Sequence, residues 1–163
     1  MGKRSDFERI ERDFYPTPYA AVVPLVAHLP QKPFTFVEPC AGDGRLIDHL
    51  ALHHGTCIHA SDIEPQSDEI MEMDCFDVNA KAQYIITNPP WNRKILHPMI
   101  EHFSTIAPTW FLFDSDWMHT KQSVHFLTKL KKVVSIGRVK WIEGSSSVGK
   151  DNCCWYLFDN TDM

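Results

Sequence analysis

The sequence predicts an α/β fold: a mostly parallel seven-stranded sheet with helices on both faces, finished by a C-terminal antiparallel hairpin. Three observations carry that expectation. Short runs of β-branched and aromatic residues alternate with helix-like stretches, the pattern of strands joined by crossover helices. The last two strand-like runs are separated by Glu143, Gly144, three serines, Val148, Gly149 and Lys150, with no helical periodicity between them. Residues able to do chemistry fall just after the first four strands, where open α/β sheets bind ligands.

Taken in order, a helix is expected over 19–28 and a first strand over 34–38, Phe-Thr-Phe-Val-Glu. A glycine-containing turn then leads into a helix over 45–53. Strands follow over 57–62, 70–74 and 84–87, the last reading Tyr-Ile-Ile-Thr. A helix over 97–106, a strand over 110–114 and a helix over 121–130 complete the alternation. The hairpin is expected from strands over 133–138 and 153–158, and its tip includes Ser145, Ser146 and Ser147. No repeat, linker or low-complexity tract divides the chain, so one domain is expected over 1–163, with 1–12 as an N-terminal arm.

The 163 residues, 44% hydrophobic and 23% charged, suit a single globular core rather than a disordered chain. No apolar run reaches the ~18 residues of a membrane span. The start, Met1-Gly2-Lys3-Arg4-Ser5-Asp6, lacks the apolar core of a signal peptide and the Ser or Thr of a myristoylation signal. Cys40, Cys57, Cys75, Cys153 and Cys154 form no disulfide framework and suit a reducing compartment, so a cytoplasmic protein with no membrane association is expected. The net charge of −5 argues against a protein that coats nucleic acid. Two local basic clusters are candidate contact faces for it, or plain solvated surface: Lys3, Arg4, Arg9 and Arg12, and Lys129, Lys131, Lys132, Arg138 and Lys140.

Three segments carry the functional signal. The first is Glu38-Pro39-Cys40-Ala41-Gly42-Asp43-Gly44-Arg45, where two glycines let the backbone turn tightly and approach a ligand. Glu38 at the strand end suits a cationic or hydroxyl-bearing ligand. The second is Ser61-Asp62-Ile63-Glu64. Asp62, about 20 positions beyond the glycines, is placed to bond ribose hydroxyls, and Ile63 to cover an adenine ring. The third and most specific is Asn88-Pro89-Pro90-Trp91. Two prolines remove two N–H donors and stiffen the backbone. Asn88 and the Pro89 carbonyl are then acceptors for both hydrogens of a planar amino group, and Trp91 offers a π face to a flipped base.

This Asn-Pro-Pro-aromatic signature, with a glycine loop upstream, resembles the S-adenosylmethionine-dependent amino-group methyltransferases, chiefly the DNA adenine-N6 enzymes. Asp13-Phe14-Tyr15-Pro16-Thr17-Pro18 looks like the Thr-Pro segment before their core, and Gly137-Arg138-Val139-Lys140-Trp141-Ile142 is similar to a stretch of small phage-encoded members. The resemblance spans about residues 13–158 and implies a Rossmann-like methyltransferase sheet. It implies that Tyr15, Thr17 and Pro18 line the cofactor pocket. Glu38, Pro39, Cys40, Ala41, Gly42 and Gly44 would surround the methionine part of S-adenosylmethionine, Asp62 and Ile63 its ribose and adenine, and Asp74, Cys75 and Phe76 the adenine edge. Asn88, Pro89, Pro90 and Trp91 would hold the target base, with Asn88 also bordering the cofactor.

The implied reaction is direct displacement of the sulfonium methyl by the adenine amino group of flipped DNA, yielding S-adenosylhomocysteine, in a prokaryotic or phage-infected cell. Positioning and electrostatics supply the rate, without a covalent enzyme intermediate. Two features depart from the pattern: Glu38-Pro39 stands where many relatives carry an aromatic residue, and no segment remains for a target recognition domain. Weak sequence specificity, or reading through short loops or a partner chain, is therefore expected. Protein glutamine or RNA adenine methylation, or a binding subunit without turnover, are the alternatives. His53, His54, Cys57 and His59 straddle a helix end and a strand, so no metal site is predicted, and Gly55 is read as a helix cap. Asp114, Asp116, Trp117 and Met118, after the fifth strand, either border the target pocket or form a solvated loop.

Overall fold

The structure, a computed structural model, describes residues 16–141 and 152–162. Tyr15, the basic residues of the N-terminal arm and the serine-rich hairpin tip lie outside them. Seven strands form one sheet: β1 (Phe34–Glu38), β2 (Gly55–Asp62), β3 (Met71–Glu72), β4 (Tyr84–Thr87), β5 (Thr109–Asp114), β6 (Leu130–Ser135) and β7 (Cys153–Phe158). Their order is β3-β2-β1-β4-β5-β7-β6. β1 pairs in parallel with β2 and β4, and β4 with β5, whereas β7 runs antiparallel to both β5 and β6. The expected hairpin is therefore present, with β7 inserted between β5 and β6.

The two faces carry separate cores. Helices α1 (Tyr19–Val26) and α2 (Arg45–Ala51) cover one face, where Ala21, Val22, Leu25, Leu46 and Leu50 meet Phe34, Phe36, Ile86, Trp110, Leu112 and Trp155. Helix α3 (Arg93–Ser104) covers the other, where Leu96, Met99, Ile100 and Phe103 meet Val37, Ile85, Phe111, Phe113 and Tyr156. Alternation along β5 explains the division, since Trp110 and Leu112 face α1 and α2 while Phe111 and Phe113 face α3. Burying each large side chain stabilises the fold by about 1.5–3 kcal/mol. Trp155 Nε1 donates to the Ala21 carbonyl at 2.8 Å and ties α1 to β7. No helix among the described residues is long and apolar enough to cross a membrane.

Four expectations are corrected. The segment over 121–130 forms a 3₁₀ helix (Gln122–Lys129) rather than an α-helix. The third strand keeps only Met71 and Glu72, because it is the sheet edge and Ile70 turns inward, 8% exposed. β6 starts at Leu130 and stops before Gly137, whose positive φ of 71° ends the extended run. Gly55 is the first residue of β2, not a cap. The left-handed residue there is His54, with φ 76°. Gly55 is required for a different reason: a Cβ would lie 2.9 Å from Phe34 Cζ and 3.1 Å from the Leu50 carbonyl oxygen.

Candidate active site

The carboxyl ends of β1, β2 and β4 open onto a cavity of about 480 Å³, a size typical of small-molecule sites. The glycine turn forms one wall. Gly42 and Gly44 have φ of 57° and 87°, conformations that residues with a Cβ adopt at a cost. The turn is then held from several sides. Ala41 N–H donates to the Ser61 carbonyl at 2.9 Å, Gly44 N–H to the Ala41 carbonyl at 2.8 Å, and Gln66 N–H to the Gly42 carbonyl at 2.9 Å.

Asp62 links this turn to β2. Its Oδ2 accepts from Gly42 N–H at 2.8 Å and its Oδ1 from Glu64 N–H at 2.8 Å. Each oxygen keeps a second lone pair for a ligand hydroxyl. Asp74 Oδ1 accepts from Phe76 N–H at 3.0 Å and sets the short 3₁₀ turn Cys75–Asp77 beside the opening.

Glu38 ends β1 in the cavity wall and is 1% exposed. Burial pushes its pKa from 4.5 up to about 8, so the carboxyl is mostly protonated at neutral pH. The Cys40 N–H, donating to Glu38 Oε1 at 3.1 Å, opposes part of the shift. The buried Thr87 hydroxyl lies near enough to oppose it as well, although its geometry gives it no hydrogen-bond partner among the described residues. Burial also raises the Cys40 thiol well above its ordinary range and Cys75 to about 12. Both thiols therefore stay protonated, and neither is a thiolate nucleophile.

Asn88 follows β4 directly and lines the cavity with Pro90. Its Nδ2 donates to Thr17 Oγ1 at 3.4 Å, and the Thr17 carbonyl accepts from His49 Nε2 at 3.0 Å. Thr17 thus joins the N-terminal segment, α2 and the end of β4. With Nδ2 engaged, the other polar atom of the Asn88 amide is an acceptor.

Of the residues singled out from the sequence, Thr17, Glu38, Pro39, Cys40, Ala41, Gly42, Asp62, Ile63, Asp74, Cys75, Phe76, Asn88 and Pro90 line the cavity together. Pro18, Gly44, Pro89 and Trp91 do not. Pro18 caps α1, Gly44 precedes α2, and Pro89 is buried. Trp91 packs against both hydrophobic cores. Asp114 is engaged by Arg93, with Arg93 Nη2 3.0 Å from Asp114 Oδ2, and Trp117 is buried with its Nε1 donating to His97 Nε2 at 2.9 Å. His53 accepts or donates across 2.7 Å with the Tyr19 hydroxyl, and Cys57 packs against the core under α2.

Lining residues that sequence reasoning missed include Asp43, Glu64, Gln66, Asn92, Ile95 and Met99. Asp43 and Glu64 had a signal in their positions inside the two loops. Ile95 and Met99 had none, since Met99 reads as part of the apolar stripe of the expected helix and Ile95 falls just before it. Among the described residues, the lining holds the carboxyls of Glu38, Asp43, Asp62, Glu64 and Asp74 and no Lys, Arg or His. Such a cavity favours a cationic ligand that also presents hydroxyls and a flat apolar ring.

No family model matches the chain, and no curated protein sequence matches it. Solved structures do. A provisionally assigned RNA methyltransferase of Pyrococcus horikoshii is 14% identical with a TM-score of 0.70, over 97% of this chain and 93% of that one. A dimethyladenosine transferase of Plasmodium falciparum is 13% identical with a TM-score of 0.59, over 91% of this chain and 64% of that one. A tRNA methyltransferase of Aquifex aeolicus is 16% identical with a TM-score of 0.55, over 96% and 74%. At such identities the likeness is one of fold, and that fold is the Rossmann-like methyltransferase sheet.

Proposed function

We propose that this chain transfers a methyl group from S-adenosylmethionine to the N6 amino group of adenine in DNA. The observation that carries the reading is the position of Asn88-Pro89-Pro90 directly after β4, with Asn88 and Pro90 on an acidic cavity that the glycine turn also lines. The lining fits the cofactor. The Asp62 carboxylate suits a ribose, Ile63 and Phe76 flank space for a purine, and Glu38 supplies a countercharge once a neighbouring cation favours its ionised form and its proton leaves to water. When bound, the cofactor supplies an electrophilic methyl on a sulfonium.

The chain's own residues do the rest. An aromatic amine is a weak nucleophile because its lone pair is delocalised into the ring. Acceptance of its two hydrogens by Asn88 Oδ1 and by the Pro89 carbonyl, at its peptide bond to the cavity-lining Pro90, favours the pyramidal nitrogen and returns that lone pair for attack. The C–S bonding electrons leave on sulfur, and the methylated nitrogen sheds one proton to water. Both acceptors are preorganised, Asn88 through Thr17 and the Pro89 carbonyl through the following Pro90, which restricts the backbone of the residue before it, so little reorganisation accompanies the transfer. The protonated cavity thiols agree with direct displacement.

A second reading, adenine in RNA, is favoured by the names of the structural neighbours: an RNA methyltransferase assignment, a dimethyladenosine transferase and a tRNA methyltransferase. Transfer of labelled methyl to duplex DNA, single-stranded DNA and structured RNA, with nucleoside analysis, separates the two. N6-methyladenine formed in DNA, and reduced roughly a hundredfold or more in Asn88→Ala, supports the first reading. Label confined to RNA replaces it with the second. Cofactor binding without label in any nucleic acid redirects the search to protein amides, and absence of cofactor binding overturns the site.

A further inference from the structure

We propose that Arg93 is a positioning residue that locks the Asn88–Trp91 segment against the end of β5. The argument begins with what two consecutive prolines remove. Pro89 and Pro90 have no N–H, so this stretch of chain is fixed largely through its carbonyls and side chains. Arg93 supplies the donor. Its Nη1 donates to the Trp91 carbonyl at 3.0 Å, and its Nη2 to Asp114 Oδ2 at 3.0 Å.

The anchor at the far end is rigid. Asp114 is 8% exposed and pairs with Cys153 in the β5–β7 ladder. Its Oδ1 accepts from Asp116 N–H at 2.9 Å, and its carbonyl accepts from the buried Tyr156 hydroxyl at 2.7 Å. A planar fork with donors pointing in two directions spans both partners at once, whereas an ammonium is a single point donor. The pair is largely shielded from water, with side-chain exposures of 20% and 11%, so screening weakens it less than a surface pair. Neither Arg93 nor Asp114 lines the cavity. Arg93 acts through the Trp91 backbone on the amino-group acceptors.

The kinetic arm of the test rests on the methyl-transfer reading, and the other arm does not. In the ligand-free protein, Arg93→Lys and Asp114→Asn are expected to raise amide hydrogen exchange at Trp91 and Asn92 at least tenfold over wild type. Exchange in β1 and β2 stays unchanged. In methyl transfer, Arg93→Lys is expected to lower kcat by roughly tenfold to a hundredfold, as a misplaced acceptor does, with cofactor affinity within twofold of wild type. Asp114→Asn, which keeps an acceptor oxygen, retains more activity than Asp114→Leu, and Arg93→Lys adds little to Asp114→Leu. Unchanged exchange at Trp91 and Asn92 overturns the proposal whether or not the protein methylates. Loss of kcat that tracks a global fall in Tm, with exchange raised everywhere, overturns it too.

Discussion

The Gly42 amide donates to Asp62 Oδ2 across 2.8 Å, so the last residue of β2 clasps the turn that follows β1. One carboxylate thus shapes the cavity wall and is itself part of it. Asp62→Ala leaves the Gly42 and Glu64 amides without that acceptor, at a cost of about 1–3 kcal/mol in stability. Cofactor affinity is expected to fall tenfold or more, roughly one hydrogen bond to a charged group. Asp62→Asn, which keeps one acceptor, lies between. Thermal melts with calorimetric titration of S-adenosylmethionine check both, and undiminished affinity in Asp62→Ala removes Asp62 from the ligand.

Glu38 makes the site sensitive to pH. The unfolded chain loses this proton near 4.5, the folded protein only near 8, so between those values the unfolded state binds fewer protons. Stability of the ligand-free protein contributed by Glu38 is therefore full below about 4.5, declines as pH rises towards 8, and is level beyond it. Glu38→Gln is expected to flatten that slope in denaturation curves measured from pH 5 to 8.5. A cationic ligand favours the carboxylate, so binding at pH 7 releases a proton and affinity climbs with pH to about 8. Titration in buffers of different ionisation enthalpy reads the release directly. Wild type without it, or Glu38→Gln with it, contradicts the assignment.

The same two residues show how much was legible in advance. Glu38 and Asp62 end strands with clear β-branched or aromatic patterns, and β1, β4 and β7 match their expected bounds. Helix α3 begins at Arg93, four residues before its expected start, because Asn92 Oδ1 caps it from Lys94 N–H at 3.0 Å in a polar stretch with no apolar period. The Arg93–Asp114 contact joins residues 21 positions apart on different elements, which no local pattern encodes. Trp91 was legible as an aromatic residue after the prolines, but its packing against both cores depends on how the sheet places β4 between α2 and α3.

Gly55 tests the packing beneath the site. Phe34 closes over it from β1, and the two pair directly in the parallel ladder. Gly55→Ala is expected to destabilise the protein by about 1–3 kcal/mol through overpacking. The double change with Phe34→Leu opens room for the new Cβ, so the combined loss should be smaller than the sum of the two single losses. Equilibrium unfolding of the three variants measures this, and simple additivity would refute the clash.

The basic residues near the C-terminus divide by position. Both β5 and β6 run antiparallel to β7, so β6 ends at the same sheet edge as β4 and the Asn88 segment. Beyond it, Ile136 and Val139 are 8% and 7% exposed and Trp141 packs on the core that also holds Trp91, while Arg138 and Lys140 stay exposed. Lys131 and Lys132 lie on the edge strand itself, where charge discourages pairing with another sheet, and Lys129 bonds Glu101 at 3.1 Å. If nucleic acid crosses the cavity mouth, Arg138 and Lys140 meet its phosphates. Replacing both with Ala is then expected to weaken duplex binding and to reduce the slope of log affinity against log salt by up to about 2. Cofactor affinity stays at the wild-type value. Lys131→Ala with Lys132→Ala should leave the slope unchanged. A reversed pattern, with the edge-strand pair carrying the salt dependence, would place the nucleic acid on the sheet edge and away from Asn88.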